Sequence, residues 1–168
     1  LPGVLIGRDG ALTVGRETLQ AGLAEGQTLL IGAPAGTGKS ALAGLIVAEA
    51  RAMGYLCLAG GSFDLESPAP YAPIRDALCD YLLAQAPEQL HADLGHLATD
   101  LVPIVPELRY HLGEDRLDGA SAGSEPSRLL AAVHGCMRVL AMRTPTLLCL
   151  EDLHAADGAT LDLLQYLA

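Results

Sequence analysis

Tryptophan is missing from these 168 residues, and lysine occurs once among ten basic side chains, the other nine being arginine. Acidic residues outnumber basic ones to leave a net charge of −10. That balance argues against non-specific DNA or RNA binding, which needs clustered cations to release counterions. It leaves open nucleic acid binding elsewhere in a longer polypeptide. The four cysteines, Cys57, Cys79, Cys136 and Cys149, form no CxxC pair and mostly have apolar neighbours. They read as buried free thiols of a reducing compartment. The five histidines show no HExxH or other ligand spacing, and His91 and His96 are five apart, off-face on a helix. No metal is assigned to either set. The longest apolar stretches, such as Ala41–Ala48, are far too short to span a bilayer, and Leu1–Ile6 lacks the basic flank of a signal peptide. A cytoplasmic protein that touches no membrane is expected.

What remains is half hydrophobic, chiefly Ala and Leu, a composition suited to one ordered, helix-rich domain with a real core. Thr28–Ile31, a short apolar run before a Gly-rich turn, predicts a buried strand. Lys39–Met53 carries Leu42, Leu45, Ile46 and Met53 at helical spacing and ends at Gly54. Tyr55–Ala59 is the next apolar run, so strand, helix and strand predict a right-handed parallel βαβ unit. Gly60–Pro70 reads as a loop. A helix over Ala72–Ala86, with Ile74, Leu78, Tyr81 and Leu82 on one stripe, and another over Glu88–Leu101 follow. Leu112–Gly123 is polar and Gly-rich, a surface loop. Ser124 is placed to cap a helix with Pro126 in its first turn and Leu129, Leu130, Val133, Met137 and Leu140 on its stripe. Thr146–Leu150 predicts a third buried strand, and Asp157 is placed to cap a helix over Gly158–Leu167.

The central chemical signal is Ala33-Pro34-Ala35-Gly36-Thr37-Gly38-Lys39-Ser40, which fits [AG]xxxxGK[ST]. Backbone amides of such a loop point inward around phosphate oxygens, and the following helix, entered through Ala41, adds its positive N-terminus. Gly36 and Gly38 allow positive φ and close approach to a ligand. Lys39 would reach the β- and γ-phosphates, and the Ser40 hydroxyl would hold Mg²⁺. In a chain that otherwise uses arginine, the one compact ammonium stands where a phosphate cradle requires it. The segment therefore predicts binding of ATP or ADP with Mg²⁺.

A second signal is Leu147-Leu148-Cys149-Leu150-Glu151-Asp152, an apolar strand ending in adjacent carboxylates. That is what a Walker B element needs: one acid serves the magnesium shell and the other orients or deprotonates the attacking water. By position Glu151 serves the metal, through water, and Asp152 the nucleophile, with the inverse assignment open. Lys39, Glu151 and Asp152 form the expected catalytic set. The reading requires a curled loop and a lysine on the same side of the sheet as the carboxylates.

Gly7-Arg8-Asp9, the phosphate loop, Tyr71–Leu78, Pro106-Glu107-Leu108 and Leu150–Asp157 together resemble successive landmarks of one family. It is the AAA-like ATPase domain of STAND signalling proteins, found in large LuxR-type transcriptional regulators and some multidomain adenylate cyclases and kinases. The resemblance runs from about Val4 to Ala168. It implies an α/β fold of the P-loop NTPase type, three layers α/β/α around a parallel sheet, with the P-loop strand central. Residues 1–168 would be the N-terminal part of one such domain, with Walker A at 33–40 and Walker B at 147–152. A fourth strand carrying a polar sensor residue, a fifth strand and a helical lid would be missing, the fourth belonging between the P-loop and Walker B strands. The resemblance also implies that Arg8 lies near the nucleotide, in the segment closing over the adenine. The sequence departs from the family at Ala33 for the usual first Gly, Ala11 for Glu and Ala155 for Trp. Ala33 adds only a methyl group; the other two bear on closure and partner contacts.

Plainer readings stand beside these. Arg8 also suits a surface cation, Asp157 a helix cap rather than a catalyst, and His154 is open between γ-phosphate sensing and a structural hydrogen bond. Tyr71 and its helix read as packing surface, and Arg128 as a solvent- or partner-facing residue, not an arginine finger. The expected function is an ATP-binding, slowly hydrolysing regulatory module working with further domains of the same polypeptide and by self-association. An ordinary P-loop catalyst, such as a small-molecule kinase, and a non-hydrolysing nucleotide-binding module are the rivals.

Overall fold

Two apolar hexapeptides, far apart in sequence, make the sheet. In the computed structural model, which describes residues 7–62, 69–113, 117 and 125–168, β1 (Leu56–Gly61) and β2 (Thr146–Glu151) pair in parallel. The register runs from Leu56 opposite Thr146 to Gly61 opposite Glu151. Leu58, Leu148 and Leu150 enter one hydrophobic cluster, and Cys57 and Leu147 another. That is the two-residue alternation of a pleated strand packed against a cluster on each face. The architecture is α/β, with helices on both sides of a parallel pair.

On the face of Cys57 and Leu147 lies α2 (Lys39–Ala52), which buries Leu42, Ile46 and Ala50 at four-residue steps. Across α2 packs α1 (Asp9–Gly22), which the sequence reading does not anticipate. Its hold on α2 is partly polar. Arg16 grips the Glu49 carboxylate with two nitrogens, and the Tyr55 hydroxyl donates to the Leu19 carbonyl. The larger cluster, on the other face, collects side chains from α3 (Ala72–Ala84), α4 (Pro87–Leu94), α5 (Leu97–Leu101), α6 (Leu108–Leu112), α7 (Pro126–Arg143) and α8 (Gly158–Leu167). Ile74, Leu78 and Leu82 of α3 are fully buried there, each stabilising the fold by about 1.5–3 kcal/mol. Charged pairs tie this layer together. Arg143 reaches Asp93 with both terminal nitrogens, Arg128 meets Asp100 at 3.0 Å, and Arg75 meets Glu107. The last pair joins two of the sequence landmarks, and Arg128 is thereby committed to a structural partner.

Several expectations change. Thr28–Ile31 is not a strand: residues 26–34 carry no regular element, Leu29 is exposed and Leu30 is 81% exposed. Only Ile31 packs, against the α1–α2 cluster. A strand exists by virtue of the neighbour that takes its hydrogen bonds, and among the described residues this segment has none. The parallel pair is consequently β1 with β2, not the 28–31 run with 55–59. The helix expected over 88–101 is two helices broken at Gly95. Helix α7 begins at Pro126 with Glu125 in the cap position, and Ser124 lies outside the described residues. Much of the loops expected over 60–70 and 112–123 lies outside them too. Asp157 and the helix Gly158–Leu167 are as read. All four cysteines are free as read, but only Cys136 is buried, which pushes its thiol up to about 12, while Cys57, Cys79 and Cys149 are partly buried. Among the described residues no helix is long and apolar enough to cross a membrane.

Candidate functional site

The run Ala33–Ser40 folds as a tight turn opening directly into α2. Gly36 and Gly38 have φ of 75° and 85°, a region costly for any residue with a Cβ. Gly38 occupies the cap position of α2, and no side chain caps that end. The first amides of the helix therefore remain donors for a ligand. Thr37 braces the turn by donating its hydroxyl to the Pro34 carbonyl at 2.7 Å. The Lys39 ammonium donates to the Ala33 and Pro34 carbonyls at 2.9 and 3.1 Å. Arg8, which directly precedes α1, donates to the Thr37 carbonyl at 2.6 Å. Helix α1 is thus tied to the loop at one end and to α2 by Arg16 and Glu49 further along.

Opposite the loop stands the C-terminal end of β2. Glu151 shares the parity of Leu147, the α2 side of the sheet. At Asp152 the chain turns left-handed, with φ 55°, and enters a 3-10 turn over Leu153–Ala155. Aspartate tolerates that conformation better than most residues. The turn places His154 Nδ1 3.9 Å from Asp152 Oδ1, with both side chains largely exposed.

A cavity of about 490 Å³ separates the two walls, with Lys39 and Ser40 on one and Glu151, Asp152 and His154 on the other. The rest of its lining is mostly apolar, from Leu29–Ile31, α2 and β2. Cys149 lines it as well, a position sequence reasoning missed although its parity with Leu147 and Glu151 would have shown it. Burial, then the Glu151 charge, pushes this thiol up, which makes it a poor nucleophile.

The donor set suits a polyphosphate: Lys39 and Ser40, which carry an ammonium and a hydroxyl, line the same space at the uncapped start of α2. Among the described residues no three His, Cys, Asp or Glu gather as a metal site. A hydroxyl and a carboxylate alone suit a cation that completes its shell with phosphate oxygens and water, as Mg²⁺ does.

Asp157 is placed as a cap. Its carboxylate accepts from the Thr160 amide at 3.0 Å, from the Thr160 hydroxyl, and from the Tyr71 amide at 3.2 Å. It thereby ties the start of α8 to the residue before α3, where Tyr71 itself is left-handed. Partial burial pushes the Asp157 carboxyl up, but the Thr160 and Tyr71 hydrogen bonds together outweigh it and its pKa is lowered. Asp157→Ala is expected to destabilise the fold by about 1–2 kcal/mol, measured by urea unfolding at neutral pH. A depressed carboxyl stabilises fully above its unfolded value of about 3.9. That contribution fades as pH falls through the lower folded value, so wild type and variant should converge in acid.

Site and fold together define a nucleotide-binding α/β domain of the P-loop class. The sequence matches the AAA ATPase domain family over residues 4–168, and the chain belongs to that family. Its members are ATP-binding ATPase modules. No curated protein and no solved structure shows a significant match to the chain.

Proposed function

We propose that this chain binds Mg-ATP between the loop 33–40 and the end of β2 and hydrolyses it slowly, as the switch of a STAND-type regulatory ATPase. The observation that carries the reading is the cavity lined together by Lys39, Ser40, Glu151 and Asp152. In this proposal the amides from Gly36 to Ala41 and the Lys39 ammonium hold the phosphates. Ser40, and Glu151 through water, would hold Mg²⁺, which would supply neutralisation of phosphate charge. Asp152 orients a water and accepts its proton as the water oxygen bonds to the γ-phosphorus and the bond to the ADP oxygen breaks. Arg8, already bonded to the loop, would sit beside the nucleotide and report its presence to α1.

The regulatory part of the reading draws on the ordered landmarks of the sequence and on Arg8, which ties the loop to α1. ATP would favour one arrangement of neighbouring domains or copies, and hydrolysis would reset it. Asp152→Asn separates binding from chemistry. The carboxamide is no base, so phosphate release should fall at least about a hundred-fold while Mg-ATP affinity stays within about three-fold of wild type. Undiminished phosphate release in this variant would exclude Asp152 from the chemistry.

A further inference from the structure

The carboxylate wall of the cavity poses an electrostatic problem. A terminal phosphate seated between Lys39 and β2 would bring its oxygens towards Glu151 and Asp152, in a chain of net charge −10. Bound cations relieve part of that repulsion, and a donor on the β2 side is needed for oxygens facing that wall. Among the residues lining that wall, His154 has the one side chain with a ring N–H to give. Three observations make it available. The left-handed Asp152 and the 3-10 turn after it carry the ring to the rim of the cavity. Its side chain is 78% exposed, so packing does not account for its place. Among the described residues no hydrogen bond occupies the ring, since its 3.9 Å approach to Asp152 is too long for one.

We infer that His154 is a specificity-determining residue that donates to the terminal phosphate of ATP and so distinguishes ATP from ADP. The inference rests on the proposed nucleotide reading of the same cavity. ADP has no phosphate at that end, and the ring then makes no contact with the ligand. Asp152, beside Nδ1, favours the tautomer in which that nitrogen carries the proton whenever the two approach. Asp152 and the phosphate therefore compete for the ring, and the outcome depends on which nucleotide is present.

The test is calorimetric titration of the whole chain with Mg-ATP and with Mg-ADP, for wild type, His154→Ala, His154→Gln and Lys39→Ala. Truncating an exposed, unbonded ring leaves the fold intact, which circular dichroism and melting temperature check. His154→Ala is expected to weaken Mg-ATP about ten-fold, leave Mg-ADP within about two-fold, and collapse the ratio of the two affinities. Glutamine, which keeps an N–H donor, should recover part of the ratio. Equal losses for both nucleotides, or an unchanged ratio, would overturn the role of His154 while Lys39→Ala still abolished binding. Failure of the wild type to bind either nucleotide, or a Lys39→Ala variant that binds like wild type, would instead overturn the nucleotide reading itself.

Discussion

Replacing Lys39 by alanine should raise the Kd for Mg-ATP at least about a hundred-fold, a loss of about 2.7 kcal/mol. The size follows from what the ammonium does. A charge-assisted hydrogen bond to phosphate contributes about 1.5–3 kcal/mol net, and a P-loop lysine reaches oxygens of two phosphate groups. No other lysine exists to replace it, and the arginines are rigid forks unsuited to the tight loop. Lys39→Arg should therefore also bind poorly. Because Lys39 donates to the Ala33 and Pro34 carbonyls, the alanine variant also loosens the loop. Its melting temperature in the absence of nucleotide should drop by a few degrees at most, about 1 kcal/mol. The diagnostic result is a binding loss far larger than the stability loss. Isothermal titration beside a thermal melt measures both, and an unchanged Mg-ATP affinity would remove the basis for the site.

The parts of the molecule that can be read from sequence are those where chemistry or a cap fixes residue types at fixed spacing. The loop 33–40 is legible because amides, glycines, ammonium and hydroxyl must recur in that order. Helix α8 is legible to the residue because Asp157 both starts it and is held by it. The stripe of α3 is legible from its helical period, with Ile74, Leu78 and Leu82 buried and Tyr81 half-buried against the same cluster. Helix α1 is not, because Gly10, Thr13, Gly15 and Thr18 interrupt its stretch and it buries only Gly15 and Leu19. It is held by partners outside itself: Glu49, the Tyr55 hydroxyl and the cluster around Ile46. The same reason explains the failure at Thr28–Ile31. An apolar run records that a segment prefers burial, but the ladder that makes it a strand is a property of whatever lies beside it. Pairs such as Arg143 with Asp93, fifty positions apart, leave no local trace either.

In the candidate site the same division holds. Lys39, Ser40, Glu151 and Asp152 are nameable one by one, yet their sharing of a cavity depends on β1. Register places Gly61 opposite Glu151, and the Ser62 amide donates to the Glu151 carbonyl at 3.1 Å. Strand β1 therefore sets the height at which the carboxylates end, although none of its side chains lines the cavity. A fault in β1 would reach the site without touching it.

Gly60 is where that can be tested, and Gly60→Ala should be the most destabilising glycine-to-alanine change among the described residues. A Cβ at this position would lie 1.9 Å from the Pro73 carbonyl oxygen, 2.9 Å from its carbon and 3.1 Å from the Ala77 amide nitrogen. All three are backbone atoms of α3, so no rotamer change relieves the clash. Helix and strand must part, and α3 carries Ile74, Leu78 and Leu82 out of register with the larger cluster. Overpacking of this kind costs about 3 kcal/mol, which at this chain length lowers Tm by about 6–12 °C. Gly61→Ala is the control: nothing lies within 4 Å of its Cβ position and its φ is not positive, so its melt should stay within about 2 °C of wild type. If β1 sets the height of Glu151, Gly60→Ala should also weaken Mg-ATP binding at temperatures where the variant is still folded, and Gly61→Ala should not. Equal melts for the two variants would mean that α3 does not press on β1 at Gly60, and the route from that helix through the strand to the carboxylates would be lost.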